Sequence, residues 1–211
     1  MAIHMGGVLR AEKLESRVRR QQIAQAALDL AATGGLRRLR VGAVARRVGL
    51  STSALYRHFP SKERMVDAAL DLIEERLQAN VEAVIAETGD PLERLRQLAL
   101  RHARLIRENQ AIPRVFFSDE VFAGVPARRA RVYGLVTRYL GHVAQMVREG
   151  QERGQIRREV DPATASRLFL GMVVPGAILW HMSDGSFDVT RHVRDTWPLY
   201  HQALRAPQEE V

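Results

Sequence analysis

At 211 residues with 46% apolar side chains, the chain can bury a real core as one large domain or two small ones. It has no cysteine, which excludes disulfides and thiolate metal sites and favours a reducing, cytoplasmic home; no metal and no cofactor are expected. The net charge of +8 is unevenly placed, with 13 Lys/Arg against four acids up to Arg64 and 19 against 20 in the remainder. An arginine-rich composition alone would spread that charge, so the asymmetry points to a nucleic-acid-binding module joined to a neutral body. No apolar run reaches the roughly 18 uncharged residues of a membrane span, and MAIHMGGVLR lacks the apolar stretch of a signal peptide. A soluble, unexported protein with no membrane partner is expected.

Strand signals are scarce and helical periodicity recurs, so the fold class is all-α, with about nine helices. Residues 1–14 are expected as a flexible segment, and MAIHM has the look of an added leader. Ile23, Ala27, Leu30 and Ala31 form one apolar stripe ended by Thr33-Gly34-Gly35, and Val41, Val44, Ala45 and Val48 a second ended by Gly49. A third helix starts after Ser51, a good N-cap, and stops before Pro60. Ser61 caps a long fourth helix, whose buried side is Val66, Ala69, Leu70, Ile73, Leu77, Val81 and Val84. Asp90-Pro91 with Glu93 reads as a capping-box-like start, and Asp161-Pro162 repeats the Asp-Pro opening. Helices are expected near 91–108, 112–121, 126–153, 162–183 and 188–205, with a frayed tail over 206–211.

Only Gly49-Leu50-Ser51 separates helices two and three, as a helix-turn-helix requires. The second of the pair carries Leu55 and Phe59 toward a core shared with Val44, Ala45, Val48 and Leu50. It leaves Thr52, Ser53, Tyr56 and Arg57 outside, with no acid from Val48 until Glu63. Such a helix is poorly suited to holding a fold together and well suited to lying against a polyanion. The run LRVGAVARRVGLSTSALYRHFPSKERM, with IAQAALDLAATGGL before it, resembles the DNA-binding domain of the TetR family of bacterial repressors, ungapped from Ile23 to Met65.

The resemblance implies a homodimer whose N-terminal helix-turn-helix domains (here 15–62) sit on a palindromic double-stranded DNA operator. A larger helical domain (63–205) would bind a small effector and dimerise. Carried over by position, Thr52, Ser53 and Arg57 approach base edges, while Tyr56, His58 and Lys62 hold phosphates; Ser51, at the helix start, joins the DNA-facing set. Independently, Arg57 can contact guanine bidentately, and residues in a first helical turn present free N–H groups to phosphate. Two positions depart from the family: Arg40 stands where Thr or Ser commonly caps helix two and is placed to reach a phosphate instead, and Ser53 replaces a frequent Gly. The plainer alternatives are that His58 is a surface residue beside Phe59 and that Tyr56 packs through its ring.

From Leu168 to Trp180 the chain has no charge, and a helix apolar all round must be buried all round, here between its own core and a second subunit. The resemblance implies that the last two helices form a four-helix dimer bundle with their mates, so Phe169, Met172, Ile178 and Leu179 are expected near that contact, with a kink at Pro175-Gly176. The effector, a small apolar molecule, is expected among His102, Phe116, Phe117, Phe122, Met146, Met172 and Trp180; an aromatic or methionine at helical spacing is more often core than pocket, and His102 reads equally as an exposed residue or a structural hydrogen-bond partner. No nucleophile elbow, phosphate-binding loop or zinc-protease motif is present, so the protein is not expected to be an enzyme; His181 with Ser183 and Asp184 reads as a helix-end cap. The competing reading is a DNA-binding regulator without an effector, whose C-terminal part only dimerises or contacts proteins.

Overall fold

Strong helix formers interrupted at Gly, Pro and capping residues dictate a chain of helices. In the computed structural model, which describes residues 3–36, 38–109, 111–116, 118, 121 and 125–207, nine α-helices form among the described residues. They are α1 (Ile3–Gly34), α2 (Val41–Arg47), α3 (Thr52–His58), α4 (Lys62–Glu87), α5 (Pro91–Glu108), α6 (Ala111–Phe116), α7 (Pro126–Glu152), α8 (Pro162–Met182) and α9 (Val189–Leu204).

Capping chemistry sets most starts. Ser51 Oγ accepts from the Ala54 amide at 3.1 Å, Ser61 Oγ from Arg64 at 3.3 Å, and the Asp161 carboxylate from Thr164 at 2.8 Å. Asp90 accepts from the Leu92 amide at 2.9 Å, but the reciprocal half of the expected capping box is not made. Glu93 pairs with Arg96 and Gln97 instead, and the Asp90 amide donates to Thr88 Oγ1 at 3.1 Å. An arginine four residues or fewer downstream outcompetes a single amide for a carboxylate. Two further expectations are corrected. α1 begins at Ile3, so the helix expected around Ile23–Ala31 extends back over residues 3–14, where LRAEKLESR supplies strong helix formers. The helix expected over 112–121 ends at Phe116, and Ser118 turns back to bond the Val115 carbonyl through its hydroxyl at 2.9 Å.

Ile23, Ala27 and Ala31 of α1 meet Val44, Ala45, Leu55 and Phe59 in a small core, with the Arg20 guanidinium 4.8 Å from the centroid of the Phe59 ring. α4 carries that core onward through Met65, Val66, Ala69, Leu70 and Ile73 into a bundle of α5, α7, α8 and α9. One polar edge of α4 is zipped to α7 by Asp67–Arg128, Asp71–Arg131 and Glu74–Arg138. At the bundle centre four rings follow one another across four helices, with centroid separations of 5.2 Å for His102–Tyr139, 6.4 Å for Tyr139–Phe169 and 6.0 Å for Phe169–Tyr200. By length and composition α8 could cross a membrane, but its Ala165, Phe169, Val173 and Ala177 side is spent on this core. Pro175 lies within the continuous span of α8. Beside it Gly176 lets α9 close in, since a Cβ there would stand 2.7 Å from the His192 ring.

Candidate nucleic-acid interface and effector cavity

α2 and α3 meet through a turn that only a few residue types permit. Gly49 sits at φ +68°, the left-handed region that a side chain disfavours, and the Leu50 amide closes the turn on the Ala45 carbonyl at 2.9 Å. Leu55 and Phe59 are buried below α3, which fixes the opposite face outward. Ser51, Thr52, Ser53, Tyr56 and Arg57 are exposed there, and His58 and Lys62 are half-buried at the far end. Tyr56 is 45% exposed, so its ring is a surface group and not part of the core. Ser51 is already committed: its hydroxyl caps α3 and lies 3.0 Å from that of Ser53. Arg40 precedes α2 in an extended conformation, makes no side-chain cap and is exposed, as a cation in place of a cap residue must be. The arrangement offers hydroxyls, a guanidinium, an imidazole and an ammonium from one convex edge, the donor set that phosphates and base edges accept.

A second feature lies in the body. A cavity of about 90 Å³ is lined by Ile73 and Leu77 of α4, His102, Leu105 and Ile106 of α5, Ile112, Pro113 and Phe116 of α6, Leu135, Val136 and Tyr139 of α7, and Leu170, Val174 and Ala177 of α8. Its two polar groups are joined, His102 Nδ1 standing 3.1 Å from the Tyr139 hydroxyl. Burial pushes the His102 pKa down to about 4 and the Tyr139 phenol upward, so both are neutral at neutral pH.

Of the expected effector residues, His102 and Phe116 line this cavity, and Phe117 and Phe122 lie outside the described residues. Met146, Met172 and Trp180 do not line it, because of where they stand along or around their helices. Met146 shares the Tyr139 face of α7 but stands two turns, about 10 Å, further along. Met172 is rotated roughly 160° from Leu170–Val174 on α8, and its carbonyl lies 3.1 Å from His192 Nε2 of α9. Trp180 packs under the turn that ends α8, its carbonyl accepting from the Gly185 amide at 2.9 Å and the Ser183 hydroxyl at 3.1 Å. Ser183 also accepts from the Phe187 amide at 2.8 Å, so it serves the helix end. The residue that sequence reasoning missed is Tyr139: a hydroxyl in the otherwise apolar stripe Leu135, Tyr139, Val143 was the available signal, because a buried phenol needs a partner.

The expected dimer residues divide. Phe169 is wholly buried among Tyr139 and Tyr200, and Met172 is buried as well, so neither is presented to a second chain. Ile178 and Leu179 are exposed, in line with Leu168 and Met182 along one edge of α8, and Leu199 of α9 is exposed as well. A charge-free helix is thus buried on one side only.

A chain of polar contacts runs from the cavity wall to the helix-turn-helix. Asn109 Nδ2 donates to the carbonyl of cavity residue Leu105 at 2.9 Å, while its Oδ1 accepts from Arg76 of α4. Arg76 also donates to Gln25 of α1, whose amide donates to Asp29 at 2.5 Å, and Asp29 pairs with Arg47 of α2 at 3.2 Å. On the other flank Arg114 of α6 donates to the Ala32 carbonyl near the end of α1 and to His181.

Residues 23–76 match the family described as bacterial regulatory proteins, tetR family, and residues 88–199 the tetracyclin repressor-like C-terminal domain. The nucleoid occlusion factor SlmA of Shewanella sediminis is 30% identical over 187 residues, covering 88% of this chain and 94% of that protein. Among solved structures, the TetR family transcriptional regulator PfmR of Thermus thermophilus is 30% identical with a TM-score of 0.70, over 85% of this chain and 97% of its own. The transcriptional regulator FadR of Bacillus subtilis, solved with stearoyl-CoA, superimposes with a TM-score of 0.71 at 20% identity, over 86% and 97% of the two chains.

Proposed function

The chain belongs to the tetR family of bacterial regulatory proteins, DNA-binding regulators of transcription, and on that premise we propose that it is a homodimeric repressor released from its operator by a small apolar molecule. In this reading Thr52, Ser53 and Arg57 contact base edges, and Arg40, Tyr56, His58 and Lys62 hold the phosphates on either side. Ser51 holds α3 in register for them. Two such heads, paired through the exposed edge of α8 and α9 around Ile178 and Leu179, would enter successive major grooves of a palindrome about 34–36 Å apart.

The observation that carries the effector half is the cavity beside α4 together with the polar chain Asn109–Arg76–Gln25–Asp29–Arg47. At about 90 Å³ the cavity is smaller than the roughly 150 Å³ apolar void that accepts benzene. An occupant must therefore part the helices that wall it, and α4, α5 and α6 are the ones tied to the head. Spacing the heads differently lowers DNA affinity, and DNA must then lower ligand affinity by the same factor. That FadR was solved with an acyl-CoA is in keeping with an apolar, acyl-bearing effector.

A second reading is favoured by the likeness to nucleoid occlusion factors over 88% of the chain: a DNA-bound protein whose body contacts another protein and answers to no small molecule. Reciprocity separates the two. Under the repressor reading, a ligand titrated with and without saturating operator shows two affinities, and narrowing the cavity by Ala177→Val, which adds two methyl groups that the void can hold, weakens ligand binding and release while leaving operator affinity intact. Equal ligand affinity in both titrations would leave the second reading.

A further inference from the structure

Among the described residues the cavity wall holds twelve apolar side chains, no Lys, Arg, Asp or Glu, and one hydrogen-bonded pair, His102 and Tyr139. We infer that it selects an uncharged, largely apolar molecule bearing one hydrogen-bond-accepting oxygen, such as a ketone, ester or lactone carbonyl, which this pair holds. The inference rests on the effector-binding reading above and narrows it to a chemical class.

Proton counting supports it. A neutral imidazole has one N–H and a phenol one O–H, so the pair has two protons and uses one between its members. If the Tyr139 hydroxyl donates to Nδ1, the proton left over is on His102 Nε2; if Nδ1–H donates to Tyr139, the phenol hydroxyl keeps it. Either tautomer leaves one donor, and one acceptor oxygen satisfies it. A pure hydrocarbon in the same place strands that donor away from water, which costs about tenfold in affinity. A carboxylate meets no cation and must first be neutralised. Protonating an ordinary carboxylic acid at neutral pH costs about two to three pKa steps, a hundredfold or more. Protonating His102 instead, whose pKa burial holds near 4, costs at least as much.

The test uses the full-length protein near neutral pH with straight-chain methyl ketones and the alkanes and fatty-acid anions of matched length, read by calorimetry and melting temperature. The ketone is expected to bind about a hundredfold more tightly than the anion. The carbonyl stretch of the bound ketone should lie below its value in an alkane solvent, the signature of an accepted hydrogen bond. The double variant His102→Phe/Tyr139→Phe should lose about tenfold in ketone affinity relative to the alkane; where it does not fold, the carbonyl stretch of the wild type decides. A bound carbonyl absorbing at its alkane value, or an anion binding as tightly as the ketone, overturns the inference and leaves an apolar effector standing. If neither ketone nor alkane raises the melting temperature, the effector reading falls with it.

Discussion

The head and the body of this molecule handle charge in opposite ways. Of the ion pairs formed among the described residues, one, Arg47–Asp29, lies in the head and none involves α3; the other seven lie in the body, three of them zipping α4 to α7. In the head, α3 turns Arg57 outward from a small core on a face without acids, which leaves its field available to a polyanion. In the body they are neutralised locally, and the distinctive site is a void with one neutral polar pair. An interface for an anion is built by keeping acids off an exposed face, and a site for an apolar molecule by withholding atoms.

The comparison can be broken most forcefully inside the body. Phe169→Ala should destabilise by about 3–5 kcal/mol in denaturant unfolding, because the ring fills the centre of the bundle. Leu179→Glu, on the exposed edge, should leave unfolding of the monomer within about 0.5 kcal/mol and weaken self-association at least tenfold in sedimentation. If Phe169→Ala instead abolishes self-association and leaves a monomer of unchanged stability, the two faces of α8 have been interchanged.

The neutral pair gives the body a pH dependence of its own. Because burial lowers the folded-state pKa of His102 to about 4 from an ordinary 6.5, the unfolded chain takes up a proton first as pH falls. The stability is fully present above about pH 6.5, is lost progressively toward pH 4, and amounts to about 3 kcal/mol. Subtracting the unfolding profile of His102→Gln from that of the wild type should show this slope; a flat difference would place His102 in contact with water.

The smallest effect concerns the link between the two regions. Arg76→Met should leave operator and ligand affinities each within a few-fold while reducing their mutual coupling by about 0.5–2 kcal/mol. Unchanged coupling would confine transmission to the packing of α4.

What was legible in the sequence follows the range of the forces involved. Ser51, Ser61, Asp90 and Asp161 announce helix starts because a cap bonds within three residues of itself, and the Gly49 turn with its acid-free helix marks the head. Glu93 misleads because Arg96 competes for it at equally short range. Periodicity tells that Met146, Met172 and Trp180 face inward, but not at which level or on which inward side; on α8 the cavity and the contact with α9 are separated only by rotation about one axis. The charge-free run of α8 likewise does not reveal that Phe169 faces the core while Leu179 faces out. His102 and Tyr139 each carry a signal, a polar group in an apolar stripe, yet their pairing across 37 residues exists only once α5 and α7 are packed.

The account turns on the outward face of α3, and selection of bound fragments from genomic DNA measures it directly, with the wild type run beside Arg57→Ala and Lys62→Ala. The wild type should enrich one palindrome with half-sites about a helical turn apart. Arg57→Ala should relax the preference at one base pair per half-site, by about 1–3 kcal/mol, whereas Lys62→Ala should weaken every sequence alike and flatten the salt dependence by about one phosphate. A wild-type pool no different from random genomic DNA would contradict the account.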